Sequence, residues 1–316
     1  MAVNKQSILL RLRSLSSHSQ AQAELAATLL DRRNGLEIIL AALSVLQQHS
    51  VAAARPGLLE LYLHFEENGE KRDPAANLRA AILRSLRSIV LPADLPLLQR
   101  AVMTYVFPPP DRKEEGALLR SAALLAIGEV DELMAAYHGA RLLVDEHNDP
   151  MSGEPALAAI RVLAAFGEPL PIYGYVMRPA SQLQPEVAAE ALRNLTNVPV
   201  PLLDELVARF AESPSGIVLV GMFELLLTHR MGVYRLDLIQ RYLREGRNLD
   251  ALRYLAVIML GSGRESLIQS VLDAARLPLS PERQTIFQEA LKPFADTSLV
   301  SELVQRDAKQ GDKVTK

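Results

Sequence analysis

Residues 71–107 read KRDPAANLRAAILRSLRSIVLPADLPLLQRAVMTYVF, and this stretch decides the fold. Asp73 offers a side-chain acceptor where a helix N-cap belongs, and Pro74 follows at a first helical position, where its missing N–H is harmless. The pattern predicts a helix from Pro74, with Leu78, Ala81, Ile82, Leu86 and Ile89 on one face at spacings of three and four. Leu91-Pro92 interrupts it, because the residue before a proline is pushed out of α geometry. Leu95, Leu98, Val102 and Tyr105 or Val106 form a second stripe, which the prolines at 108–110 close. Neither stripe can be buried by its own helix, so the pair must stack on neighbours.

Outward from this hairpin the chain repeats it. Helices are expected at 21–30, 36–46, 58–65, 118–127, 130–144, 156–166, 172–177, 185–195, 201–211, 217–230, 234–244, 249–260, 266–275, 281–291 and 298–306, after an amphipathic first helix carrying Ile8, Leu9, Leu12 and Leu15. Gly128 and Gly167 look suited to left-handed C-terminal caps. LLRSAALLAIGE at 118–129 aligns with ALRYLAVIMLGS at 251–262, placing Arg120 on Arg253 and Gly128 on Gly261. LAAIRVLAAFGE at 157–168 fits the same register. Successive units lie roughly 30 to 40 residues apart, the period of stacked helical hairpins.

Composition agrees with an all-α chain. The 316 residues are 49% hydrophobic and 22% charged, enough for a large core, and aromatics are only 5% with no Trp. Cysteine is absent, which removes disulfides, thiolate metal sites and thiol nucleophiles. Thirty-four basic against 37 acidic residues leave a net charge of -3, so no global field draws the chain to phosphate or an anionic membrane. The most apolar run, 217–227, is broken by Glu224 and falls short of the ~20 residues a membrane span needs. The basic, serine-rich N-terminus resembles a transit peptide but reads better as the first helix. A cytoplasmic protein is expected, organised as a single domain over 1–308, with capping helices at 1–55, hairpins at 56–308 and a flexible polar tail at 309–316.

No constellation predicts catalysis. The six histidines form no H-E-x-x-H and no pair four apart. The acidic loop at 145–154 lacks the spacing and glycine of an EF-hand and reads as a solvated turn. Gly261-Ser262-Gly263 has no preceding strand and no following Lys-Ser/Thr, and reads as a cap and turn. No cofactor and no metal are expected.

Asp73 and Arg79, inside D-P-x-x-x-L-R-A-A-x-L-x-x-L, resemble the HEAT repeat, including the HEAT-like form found in phycobilisome lyases. The resemblance covers roughly residues 58–306. It implies a right-handed α-solenoid of HEAT-like hairpins, an armadillo-like superhelix, in which Asp and Arg form a ladder between repeats and the Arg-bearing helices line a concave face. Arg120 and Arg253 match the arginine. Asp111 is too far from Arg120, and Arg247 stands where an acid is wanted, so the ladder is expected to be incomplete. The implied function is a non-catalytic protein–protein interaction scaffold or adaptor, binding another protein through Arg84, Arg87, Arg120, Arg161, Arg193 and Arg253. Alternatives are nucleic-acid binding, as in HEAT-like DNA glycosylases, and chromophore handling of the lyase type. Charges on the presumed inner helices nearly cancel, which argues against a phosphate track.

Overall fold

The computed structural model describes residues 5–294, apart from the side chains of residues 233 and 234. The expected helix at 298–306 and the polar tail at 309–316 lie outside the described residues. Among the described residues the chain is helical throughout, with no strand, and no helix is long and apolar enough to cross a membrane. It divides into two compact units, Met1–Arg178 and Pro179–Lys316.

Unit 1 contains α1 (Lys5–Ser14), α2 (Ser19–Thr28), α3 (Leu36–Gln48), α4 (Arg55–Glu67), the single turn α5 (Gly69–Arg72), α6 (Asn77–Leu86), α7 (Leu95–Val102), α8 (Ala117–Gly128), α9 (Glu132–Leu143), α10 (Ala156–Ala165) and α11 (Pro169–Val176). Helices next but one in the chain pack together: α4 on α6, α6 on α8, α8 on α10, and beside them α9 on α11. Helix α8 is therefore covered on several sides, and nine of its twelve residues are buried. Its alanines at 122, 123 and 126 let the neighbours approach closely.

Unit 2 repeats the scheme with α12 (Pro185–Asn194), α13 (Val200–Phe210), α14 (Gly216–Thr228), α15 (Leu236–Glu245), α16 (Leu249–Gly261), α17 (Glu265–Ala275) and α18 (Pro281–Leu291). The row α12, α14, α16, α18 packs in sequence, and α15 packs on α17. Helix α14, GIVLVGMFELLLT, is apolar almost all round because it is sandwiched in this row. Helix α15, LDLIQRYLRE, lies to one side and buries only Ile239 and Leu243. Gly221 marks the tightest crossing, since a Cβ there would lie 2.5 Å from the carbonyl oxygen of Ala189 on α12.

Three expectations need correction. Helix α6 begins at Asn77 rather than Pro74, because residues 74–76 form a turn with Ala76 at φ 56. The Asp73 carboxylate still caps the helix, accepting from the amides of Leu78 and Arg79 across that turn, both at 3.0 Å. Helix α7 stops at Val102, so Tyr105 and Val106 belong to a loop and not to the apolar stripe. Gly128 ends α8 in helical geometry against the ring of Phe166, whereas Gly167 takes the left-handed conformation at φ +72.

Candidate functional site

Two loops of unit 1 carry the densest polar chemistry among the described residues. Residues 103–116 join α7 to α8, and residues 144–155 join α9 to α10. Arg120, one turn into α8, stands between them with no solvent exposure at all. Its guanidinium forks onto Glu114, with Nη1 donating to Oε1 at 2.6 Å and Nη2 to Oε2 at 3.0 Å. It also donates to the carbonyls of Thr104 at 3.3 Å and His147 at 3.2 Å, one on each loop. The Tyr105 ring lies 4.2 Å from its Cζ, close enough for a cation–π contact.

The second half of the network crosses the loops directly. The Tyr105 hydroxyl donates to Asp145 at 2.6 Å and accepts from Arg141 at 2.9 Å. Arg141 also donates to the carbonyl of Val102, the last residue of α7, at 2.8 Å. Burial, and then the bond to Asp145, push the Tyr105 phenol above its ordinary value. Asp145 further accepts the His147 amide, and Glu114 accepts the amides of Val106 and Gly116. The His147 ring stands edge-on to Tyr105 and Phe107, with centroids 5.6 and 5.5 Å apart.

This overturns two readings of the sequence. The 145–154 loop is not a solvated turn, since Asp145 is buried against Tyr105 and Arg120, and Glu154 holds Ser121 and the Ala158 amide. No group of three His, Asp or Glu among the described residues is placed to hold a metal ion. The acid paired with Arg120 is Glu114, six residues before it, the spacing of Asp73 and Arg79. The spacing is readable in the sequence once a glutamate is allowed at the acid position.

The buried Arg120 and the half-buried Arg141, against the buried carboxylates of Glu114 and Asp145, leave the network neutral and its donors largely consumed internally. Such a cluster adds little net stability for its desolvation cost, but its geometry is directional. It fixes both loops to α8. The same loops expose apolar side chains: Met103, Phe107 and Val144 are about half exposed and Met151 is 89% exposed.

The six arginines expected to contact a partner are placed differently. Arg120 is enclosed as described, so its donors do not reach the surface. Arg84 is exposed and bonds back to the Ala80 carbonyl, and Arg87 pairs with Glu129 at 2.7 Å. Arg161 lies 4.0 Å from Glu154. In unit 2, Arg193 is clasped by Glu190 and Glu224, and Arg253 by Glu289 and, more loosely, Asp250. Glu224 also accepts the Tyr254 hydroxyl at 2.6 Å. Three of the six, Arg87, Arg193 and Arg253, are spent on the next helix of their own row or on its end.

No protein-family model, no curated protein and no solved structure matches this chain.

Proposed function

We propose that the chain is a non-catalytic interaction scaffold, a right-handed solenoid of HEAT-like hairpins that docks another protein. The observation that carries this reading is the braced loop pair of unit 1. A buried, charge-neutral network holds in place two loops whose outward side chains are Met103, Phe107, Val144 and Met151. Apolar and aromatic side chains presented on a rigid frame suit a protein partner, because little conformational entropy remains to be lost on binding. The stacked rows within each unit, and the internal pairing of their arginines, support the solenoid and weigh against a phosphate-binding groove.

The docking contacts in this proposal move from the arginine row to the loops. A photo-crosslinking side chain installed at Phe107 or Met151 in the native host is expected to trap one defined protein. The same group at Thr285, exposed on α18, is expected to trap none of it. Met151→Asp should abolish the Phe107 crosslink while leaving the melting temperature unchanged. A defined crosslink from position 84 or 87 and none from the loops would return the contact to the arginines. The absence of any specific protein product would overturn the scaffold reading.

A further inference from the structure

A cleft of about 570 Å³ opens in unit 2 between the end of α13, the start of α14 and the length of α15, within the usual range of small-ligand sites. Leu219, Leu238 and the Tyr242 ring supply its apolar lining, while Glu212, Arg241, Glu245 and Arg247 supply two charges of each sign. Arg241 meets Glu212 only at 3.8 Å, and both side chains are more than half exposed. The side chains of Arg247 and Glu245 have no hydrogen-bond or ion-pair partner among the described residues.

The wall that carries Arg247 is held from several directions. The Tyr242 hydroxyl donates to the Asn248 carbonyl at 3.2 Å, and its ring packs on Phe223 with centroids 4.6 Å apart. The Asn248 side chain caps α16 by accepting the Ala251 amide at 2.9 Å. Arg283, from α18, donates to the carbonyls of Leu243 and Gly246 at 2.6 and 2.5 Å. Residues 243–248 are thus tied to their neighbours without any ligand, while Arg247 and Glu245 are left uncommitted.

We propose that this cleft binds a short peptide with free termini and apolar side chains. A guanidinium is matched by a terminal carboxylate, which it can grip with two parallel bonds. Glu245 is matched by a terminal ammonium, and the lining of Leu219, Leu238 and Tyr242 by aliphatic side chains. The four charges cancel, so the cleft generates no field favouring a polyanion, and inorganic phosphate meets as many repelling groups as attracting ones. The volume accommodates several residues rather than one. The inference rests on unit 2 alone and stands or falls separately from the loop site.

The test is calorimetric titration of the full chain with trileucine, N-acetyl-trileucine, trileucine amide and inorganic phosphate. Free trileucine is expected to bind, and Arg247→Gln to weaken it about tenfold, the loss of one charge-assisted contact. Blocking the carboxylate should cost a similar factor in the wild type and nothing further in Arg247→Gln. Blocking the amine should behave in the same way with Glu245→Gln. Both positions are exposed, and an unchanged melting temperature in each variant checks the fold. The proposal is overturned by no binding of trileucine at millimolar concentration, by phosphate displacing it, or by equal affinity for the free and blocked forms.

Discussion

At the scale of single residues, Arg120 is the position on which unit 1 turns, because a full charge is enclosed there with no solvent exposure. Glu114→Gln removes one partner and leaves that charge under-compensated, and is expected to cost about 3–5 kcal/mol in urea unfolding. Arg120→Met combined with Glu114→Gln should recover much of the loss, since removing both charges also removes their desolvation cost. A double variant as unstable as the single one would show that packing, not charge, holds the site. Half of this was legible in advance. Arg120 stood out by its register with Arg253, but its burial depends on loops whose path the sequence does not disclose. Asp145 looked solvated because an acidic loop without aromatic neighbours in sequence gives no hint that Tyr105, forty residues earlier, will cover it. His138, on α9 one turn from Arg141, adds a pH dependence. Burial, with a smaller push from Arg141, lowers it from its ordinary 6.5. The unfolded chain therefore takes up this proton first, so the contribution is complete above pH 6.5 and is lost as pH falls below it. His138→Gln should flatten the stability profile between roughly pH 7 and 5. Asp149, lowered by the Ser152 hydroxyl, acts in the same direction but only near roughly pH 4, so the two are separable.

At the scale of elements, helix ends are finished by arginines reaching from a later hairpin. Arg141 covers the carbonyl of Val102 at the end of α7, Arg264 that of Leu227 near the end of α14, and Arg283 those of Leu243 and Gly246 at the end of α15. The last carbonyls of a helix lack internal partners and carry its negative pole, so a cationic donor satisfies both needs. Arg264→Met is expected to cost about 1–2 kcal/mol, with faster hydrogen exchange confined to the C-terminal turn of α14. Uniform loss of protection across unit 2 would argue against a local cap. Gly221→Ala tests the packing of the same helix. Its methyl would meet the Ala189 backbone, which cannot step aside as a side chain can, so roughly 1–3 kcal/mol or more is expected. Helix positions were readable from period and punctuation, and most boundaries fell within a residue or two. The misses share a cause. Prolines at 74 and 108–110 mark where helices cannot run, but they do not say whether the flanking residues are helix or turn. Tertiary bonds settled that, through Asp73 on one side and Tyr105 on the other.

At the scale of the whole molecule, side-chain bonds join segments 30 to 42 residues apart in the chain. Bonds between non-adjacent helices span separations such as 30 for Tyr254 on Glu224, 37 for Arg264 on Leu227 and 42 for Arg87 on Glu129. The need for such packing was legible, because no single helix can bury its own apolar stripe. The division after Arg178 was not, because the sequence near 178–185 reads as one more proline-bounded break among many. Under the proposed reading as stacked repeats, stability is close to a sum of local terms and nearest-neighbour interfaces, which gives the division between the two units an energetic meaning. Each unit has its own row of buried helices, around α8 in the first and α14 in the second. Residues 1–178 and 179–316, produced as separate chains, are therefore both expected to be helical by circular dichroism and to unfold cooperatively in urea. In the full chain, Gly221→Ala should lower the midpoint of α14 exchange protection while leaving amides of α8 unchanged, and Glu114→Gln should do the reverse. If either substitution lowered protection equally in both rows, the chain would unfold as one cooperative body, and the boundary after Arg178 would carry no energetic weight.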